Sequence, residues 1–111
     1  MFEARDIAEQ FVANLRSVVE AVADRDPDLA SQLRRAATSA ALNTAEAGRR
    51  EGRDRKSRFR IAAGECDEAA CAVRIAIAWG WVDPAAAQPA LALADRLQAM
   101  LWRLRHPRPR P

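Results

Sequence analysis

The chain predicts an all-α fold, an up-down-up-down antiparallel four-helix bundle. Three observations lead there. Apolar residues recur every three or four positions through four long segments, the spacing of one helical face. The pairs Asp26-Pro27 and Asp83-Pro84 read as helix starts, with a capping side chain followed by a proline that fits the first turn. The chain has no tyrosine, four glycines and few β-branched runs, which argues against a sheet. Short connections between four helices favour antiparallel neighbours. At 111 residues the chain is expected to be one domain. The bundle is expected over 1–105, with a flexible Pro/Arg tail over 106–111.

The first helix is expected at about 3–23, where Ile7, Phe11, Leu15, Val18 and Val22 share a face. The second is expected at about 27–49. Asp28 in its first turn suits the helix dipole, Leu33, Ala36 and Ala40 carry its apolar stripe, and Gly48 and Gly52 mark its end. The third is expected at about 54–79. Phe59, Ala62 or Ala63, Cys66, Ala70, Val73 and Ile77 form its main stripe, and Ala72, Ile75 and Trp79 form a second. Two apolar faces on one helix imply contact beyond its own bundle. Gly80 ends it. The fourth is expected at about 84–105, with Pro89 leaving Gln88 as another regular start. Leu93, Leu97, Met100 and Leu104 carry this helix inward. In the tail, proline alternates with Arg108 and Arg110, a pattern that suits an extended polyproline-like segment.

Polar groups interrupt two of these stripes. Asn43 falls in phase with the apolar residues of helix two, Glu46 lies one turn on from Leu42, and Glu65 and Glu68 share a face with Ile61, Ala72 and Ile75. Such groups need partners when buried. Asn43, Glu46 and Glu68 are therefore expected to form a structural polar core, with an Asn43–Glu68 pair fixing the register of helices two and three. Arg35 is available to neutralise Glu46 or Glu68.

Arg35, Ala37, Ser39, Asn43, Ala45, Glu46, Arg50, Phe59, Ala63, Gly64 and Glu68 make up a pattern. It resembles the signature of the four-helix-bundle family of ribosomal RNA intervening-sequence proteins. The accessory variability proteins of diversity-generating retroelements are more distant relatives. Three positions depart from the signature: Thr44 replaces an isoleucine, Ala47 precedes Gly48 where a glycine follows the glutamate, and Glu65 replaces a serine. The resemblance implies a homo-oligomer, a ring-like pentamer, and a setting beside a reverse transcriptase or ribosomal RNA.

Charge is unevenly spread. Residues 1–48 carry −3, residues 49–60 carry +5 and residues 61–111 carry +1. An anionic partner should therefore meet the central segment. Arg49, Arg50, Arg53, Arg55, Lys56, Arg58 and Arg60 are the expected nucleic-acid contacts, with Arg108 and Arg110 as tail accessories. Arginine forks suit phosphate oxygens. Phe59, which reads as core, is the only aromatic residue among these charges, so base stacking is not expected. RNA or DNA should be held by its phosphates with little sequence preference. The expected function is a non-enzymatic, basic, oligomeric scaffold on nucleic acid. The alternative is a protein–protein adaptor using apolar positions around Trp79 and Trp81.

Other chemistries find little support. A di-iron bundle site needs inward histidines, and His106, the single histidine, lies in the tail. No metal and no cofactor are expected. Ser31, Ser39 and Ser57 lack a histidine base, and Gly48 to Gly52 lacks phosphate-loop spacing. Cys66 and Cys71 point about 140° apart on one helix, so they cannot pair with each other. They read as two small buried hydrophobes in a reducing cytoplasm. Met1 leads directly into Glu3, Arg5 and Asp6, so no signal peptide is expected. No apolar run reaches the roughly 18 residues of a membrane span.

Overall fold

Each stretch of apolar periodicity becomes a helix. A computed structural model describes residues 3–109 of the protein. Its elements are α1 (Glu3–Ala23), α2 (Pro27–Ala47), α3 (Gly52–Ala78) and α4 (Pro84–Arg105). No strand occurs among the described residues. Ile7, Phe11, Leu15, Val18 and Val22 are all buried along α1, as their spacing requires. Each helix packs against two others: α1 on α2, α2 on α3, α3 on α4, and α4 back on α1. The body measures 51 × 22 × 21 Å.

Cross-helix bonds give the relative direction of neighbours. Ala47 meets Arg55, Asn43 meets Arg58, and Arg35 meets Glu68, so numbers fall along α2 as they rise along α3. The same inversion relates α3 and α4, where Ala63 meets Gln98 and Cys66 meets Ala94. A 2.9 Å pair between Glu3 and Arg96 ties α1 to α4.

Helix ends follow local chemistry. The Asp26 carboxylate accepts from Leu29 N–H at 3.0 Å, and that of Asp83 accepts from Ala85 N–H at 3.1 Å. At the end of α3, Gly80 takes φ 79°, where a side chain would be strained. Its N–H reaches Ile77 O, and Trp81 N–H reaches Ala76 O, the paired closure of a Schellman motif. α4 runs unbroken from Pro84 through Pro89, so no later start at Gln88 is needed.

The α2–α3 turn corrects two boundaries. α2 stops at Ala47, not Arg49, because residues 48–50 fold back on the last carbonyls of α2. α3 begins at Gly52, not Asp54, since Gly52 with φ 61° turns the chain directly into the helix. α3 correspondingly ends at Ala78, with Trp79 as its cap.

The polar-core expectation is also corrected. Thr44, not Asn43, occupies the buried slot of α2 and bonds back to the Ala40 carbonyl at 2.8 Å. Asn43 lies about 100° around the helix from it and is only half-buried. The Asn43 amide donates to Ser39 O and Ser39 Oγ, and its Oδ1 accepts from Arg58 at 3.4 Å. Glu68 is exposed and pairs with Arg35 at 2.8 Å, so the Asn43–Glu68 pair does not form. Glu46 is half-buried at the end of α2 and is held by arginines, outside the core.

Candidate nucleic-acid interface

Seven cations lie between Arg49 and Arg60, and the fold divides them into two groups. Four are already engaged. Arg50 is bound to Glu46 at 2.6 Å and to Asp54 at 3.6 Å. Arg49 reaches Glu46 at 3.7 Å, and Arg58 reaches Asp54 at 3.7 Å as well as Asn43. Arg55 turns inward. It donates to the Ala47 carbonyl at 3.4 Å and lies 5.0 Å above the Phe59 ring, so it satisfies the exposed end of α2.

The Glu46–Arg50 bond dominates the electrostatics of this turn. The hydrogen bond from Arg50, aided by its charge, holds the Glu46 carboxyl below its ordinary value of 4.5. The same bond and charge raise the Arg50 guanidinium. Glu46 is thus an anion that occupies the cations around it at neutral pH.

Arg53, Lys56 and Arg60 are different. All three are exposed, and none has an ion-pair or hydrogen-bond partner among the described residues. Steps of three and four residues place them within about 60° of one another on α3. Their spacing from Arg53 to Arg60 is about 10 Å along the helix axis. They form one unpaired cationic stripe. Arg108 is exposed beyond α4, and Arg110 lies outside the described residues.

Two aromatic stacks were not singled out by the charge pattern. Trp79 stacks on Trp81 at the end of α3, with centroids 5.7 Å apart. Trp102 stacks on His106 at the end of α4, with centroids 4.3 Å apart and planes 22° from parallel. Trp102 is 55% exposed. Its spacing of four residues from His106 was the available signal, but distance along the chain separated it from the basic run.

The two cysteines of α3 sit in different surroundings. Cys66 is buried, and burial pushes its thiol up to about 12, so it stays protonated at neutral pH. Cys71, expected to be buried as well, is instead exposed and free, because it lies about 140° around α3 from Cys66. Among the described residues no group of three or more histidine, cysteine, aspartate or glutamate side chains is arranged to hold a metal ion. No described helix is long and apolar enough to cross a membrane.

A family model described as 23S rRNA-intervening sequence protein matches residues 2–103. Among curated proteins, none matches the chain. A solved structure from Bacteroides thetaiotaomicron, a protein of unknown function from the S23 ribosomal protein family, is similar to this chain with a TM-score of 0.83. The identity is 16%, over 92% of this chain and 97% of that one. At this identity the likeness establishes the fold alone.

Proposed function

The chain belongs to the 23S rRNA-intervening sequence protein family, and from that premise we propose a non-enzymatic, cytoplasmic, homo-oligomeric scaffold on nucleic acid. Its phosphate contacts are Arg53, Lys56 and Arg60. The observation that carries this reading is that they have no ion-pair or hydrogen-bond partner among the described residues, whereas each of the other four cations has one. Arginine forks and a lysine ammonium on one stripe suit a run of phosphates. Arg49, Arg50 and Arg58 add general positive potential, and Arg108 and Arg110 extend it from the tail. RNA or DNA is the partner, in the neighbourhood of a reverse transcriptase or ribosomal RNA.

The scaffold is an up-down-up-down antiparallel bundle that assembles as a ring, with five copies as the preferred number. The inverted contacts between neighbouring helices support the topology. Self-association is supported by the outward side of α3, where Ile61, Ile75 and Trp79 are exposed. A closed ring would repeat the cationic stripe and convert a weak contact into an avid one. The neutral, buried Cys66 thiol supports a role without nucleophilic catalysis.

The test is binding of mixed-sequence RNA and DNA duplexes by nuclease-treated protein across a salt series, with mass read by light scattering. Reversing Arg53, Lys56 and Arg60 to glutamate should abolish binding while leaving the helical spectrum intact. Reversing Arg49 and Arg50 should weaken it far less. Unchanged binding by the first variant would overturn the assignment.

The adaptor reading keeps one specific support: Trp79 is 67% exposed and stacked on Trp81. Trp81→Ala should leave nucleic-acid binding intact under the scaffold reading. Absence of binding at low salt, with loss of a protein partner in Trp81→Ala, would favour the adaptor.

A further inference from the structure

We propose that the α3–α4 groove beside the cationic stripe binds a single-stranded polynucleotide, with an unpaired base stacked on Trp102 and its phosphates on Lys56, Arg60 and Arg53. This rests on the nucleic-acid reading above and adds to it a partner class and a second kind of contact.

The Gln98 amide donates to the Ala63 carbonyl at 2.7 Å, which identifies the flank of α4 that faces α3. Trp102 is one turn beyond Gln98 and about 40° around, on the same flank. Arg105 is two turns beyond and about 20° from it. On α3, Lys56 lies two turns before Ala63 and about 20° around. Arg60 and Arg53 lie on that side too, progressively nearer solvent.

Heights agree as well, because numbers run oppositely on the two helices. Arg60 is about 4.5 Å from the level of Ala63, and Trp102 is about 6 Å from the level of Gln98 in the same direction. Lys56 and Arg105 share a level about 10 Å from that bond. Packed helices stand roughly 8–10 Å apart. The groove therefore has two free cations on one bank and an indole on the other, within the span of a nucleotide or two.

The indole is preorganised for stacking. His106 covers one face of Trp102, and its Nδ1 lies 2.8 Å from the Trp102 carbonyl, fixing the pair. More than half of Trp102 remains exposed. A base added to this stack loses little freedom in the protein, which favours binding. Stacking accepts any base, whereas a duplex keeps its bases stacked on each other. The groove is also polar along its length. Asp67 and Asp95 both act on Cys66, which bonds to Ala94 farther down, so acid follows the Gln98–Ala63 bond on the side away from Trp102, with Arg74 two turns beyond Asp67. A strand should therefore occupy the basic end.

The experiment uses full-length protein carrying Trp79→Phe and Trp81→Phe, so that emission reports Trp102. Oligo(U), oligo(dT) and a duplex of equal length are titrated at low salt. Single strands should quench the emission and bind more tightly than the duplex. Trp102→Ala should lower single-strand affinity roughly 5- to 150-fold, the range for loss of one stacked base, and leave duplex affinity unchanged. Trp102→Phe should retain most of the preference, which guards against a folding defect in the alanine variant. Equal affinities for strand and duplex, with neither changed in Trp102→Ala, would overturn the stacking proposal and leave the phosphate reading standing. Binding of nothing by the parent protein would overturn both. A fall in mass in Trp102→Ala without any change in strand preference would assign Trp102 to contact between copies instead.

Discussion

Arg55 and Cys66 show how surroundings decide what a residue type can do. Arg55 sits among candidate phosphate ligands in the sequence, yet its guanidinium serves the end of α2 and the Phe59 ring. Cys66 is a thiol that burial removes from reactivity, while Cys71, one and a half turns on, is exposed. A thiol reagent at pH 8 should label one site per native chain, Cys71, and two only after unfolding in urea. Rapid labelling of both in the folded protein would contradict the buried assignment. The raised thiol also fixes a sign. Its neutral form is favoured by folding, so its contribution is complete below the ordinary value of 9.0 and is lost as pH rises towards about 12. Urea midpoints measured across that window should fall in wild type and fall less in Cys66→Ala.

At the scale of the element, α3 carries most of the functional argument. Its inner side holds Phe59, Cys66 and Val73, all fully buried, and its outer side exposes Ile61, Gly64 and Ile75. Gly64 has nothing within 4 Å of where a side chain would begin. In a lone chain, Gly64→Ala should therefore stabilise α3 by up to about 1 kcal/mol, read as a melting temperature several degrees higher at low concentration. If copies pack on this side, the same variant should lower the mass seen by light scattering at high concentration. A lower melting temperature in the dilute protein would mean that the open space is not there.

The elements themselves were largely legible. The faces of α1 and the Asp-Pro starts of α2 and α4 follow from strong local chemistry. The α2–α3 turn was not, because its ends depend on an arginine from the next helix and on a glycine that opens α3. Nor was the buried polar slot. Asn43 and Thr44 are adjacent, and the hydroxyl wins because it satisfies itself on Ala40 within its own helix. An amide would have needed partners from across the core. For the candidate interface, the sequence located the positive segment but not which cations were occupied, since ion pairing at 46, 50 and 54 spans a turn. It also missed Trp102, whose stack on His106 forms at the end of α4, far along the chain from the basic run.

For the molecule as a whole, two ledgers differ from what composition suggests. The core is built mainly from alanine: sixteen of the twenty-eight buried apolar residues among those described. Close helix packing replaces bulk, so Phe11, Phe59 and the buried leucines carry a large share of apolar area. The charge ledger is likewise thinner than it looks. Seven basic residues crowd 49–60, but three are free to displace counterions. For a short single strand on one chain, log affinity against log salt should therefore slope at about −2, not about −5 as seven contacts would give. A slope near the steeper value would show that Glu46 and Asp54 release their arginines on binding.

The Glu3–Arg96 pair carries a consequence in time. Among the described residues, the other hydrogen-bonded or ion-paired junctions between helices join neighbours in sequence, which close over short loops at small entropic cost. The α1–α4 junction must wait for nearly the whole chain. During synthesis α1, α2 and α3 can meet first, leaving one flank of α1 and one of α3 bare until α4 emerges. The Trp102 platform rides on that final helix. A nascent or truncated protein would thus carry the cationic stripe before it acquired the stacking bank, and completion of the fold would itself time the appearance of the groove.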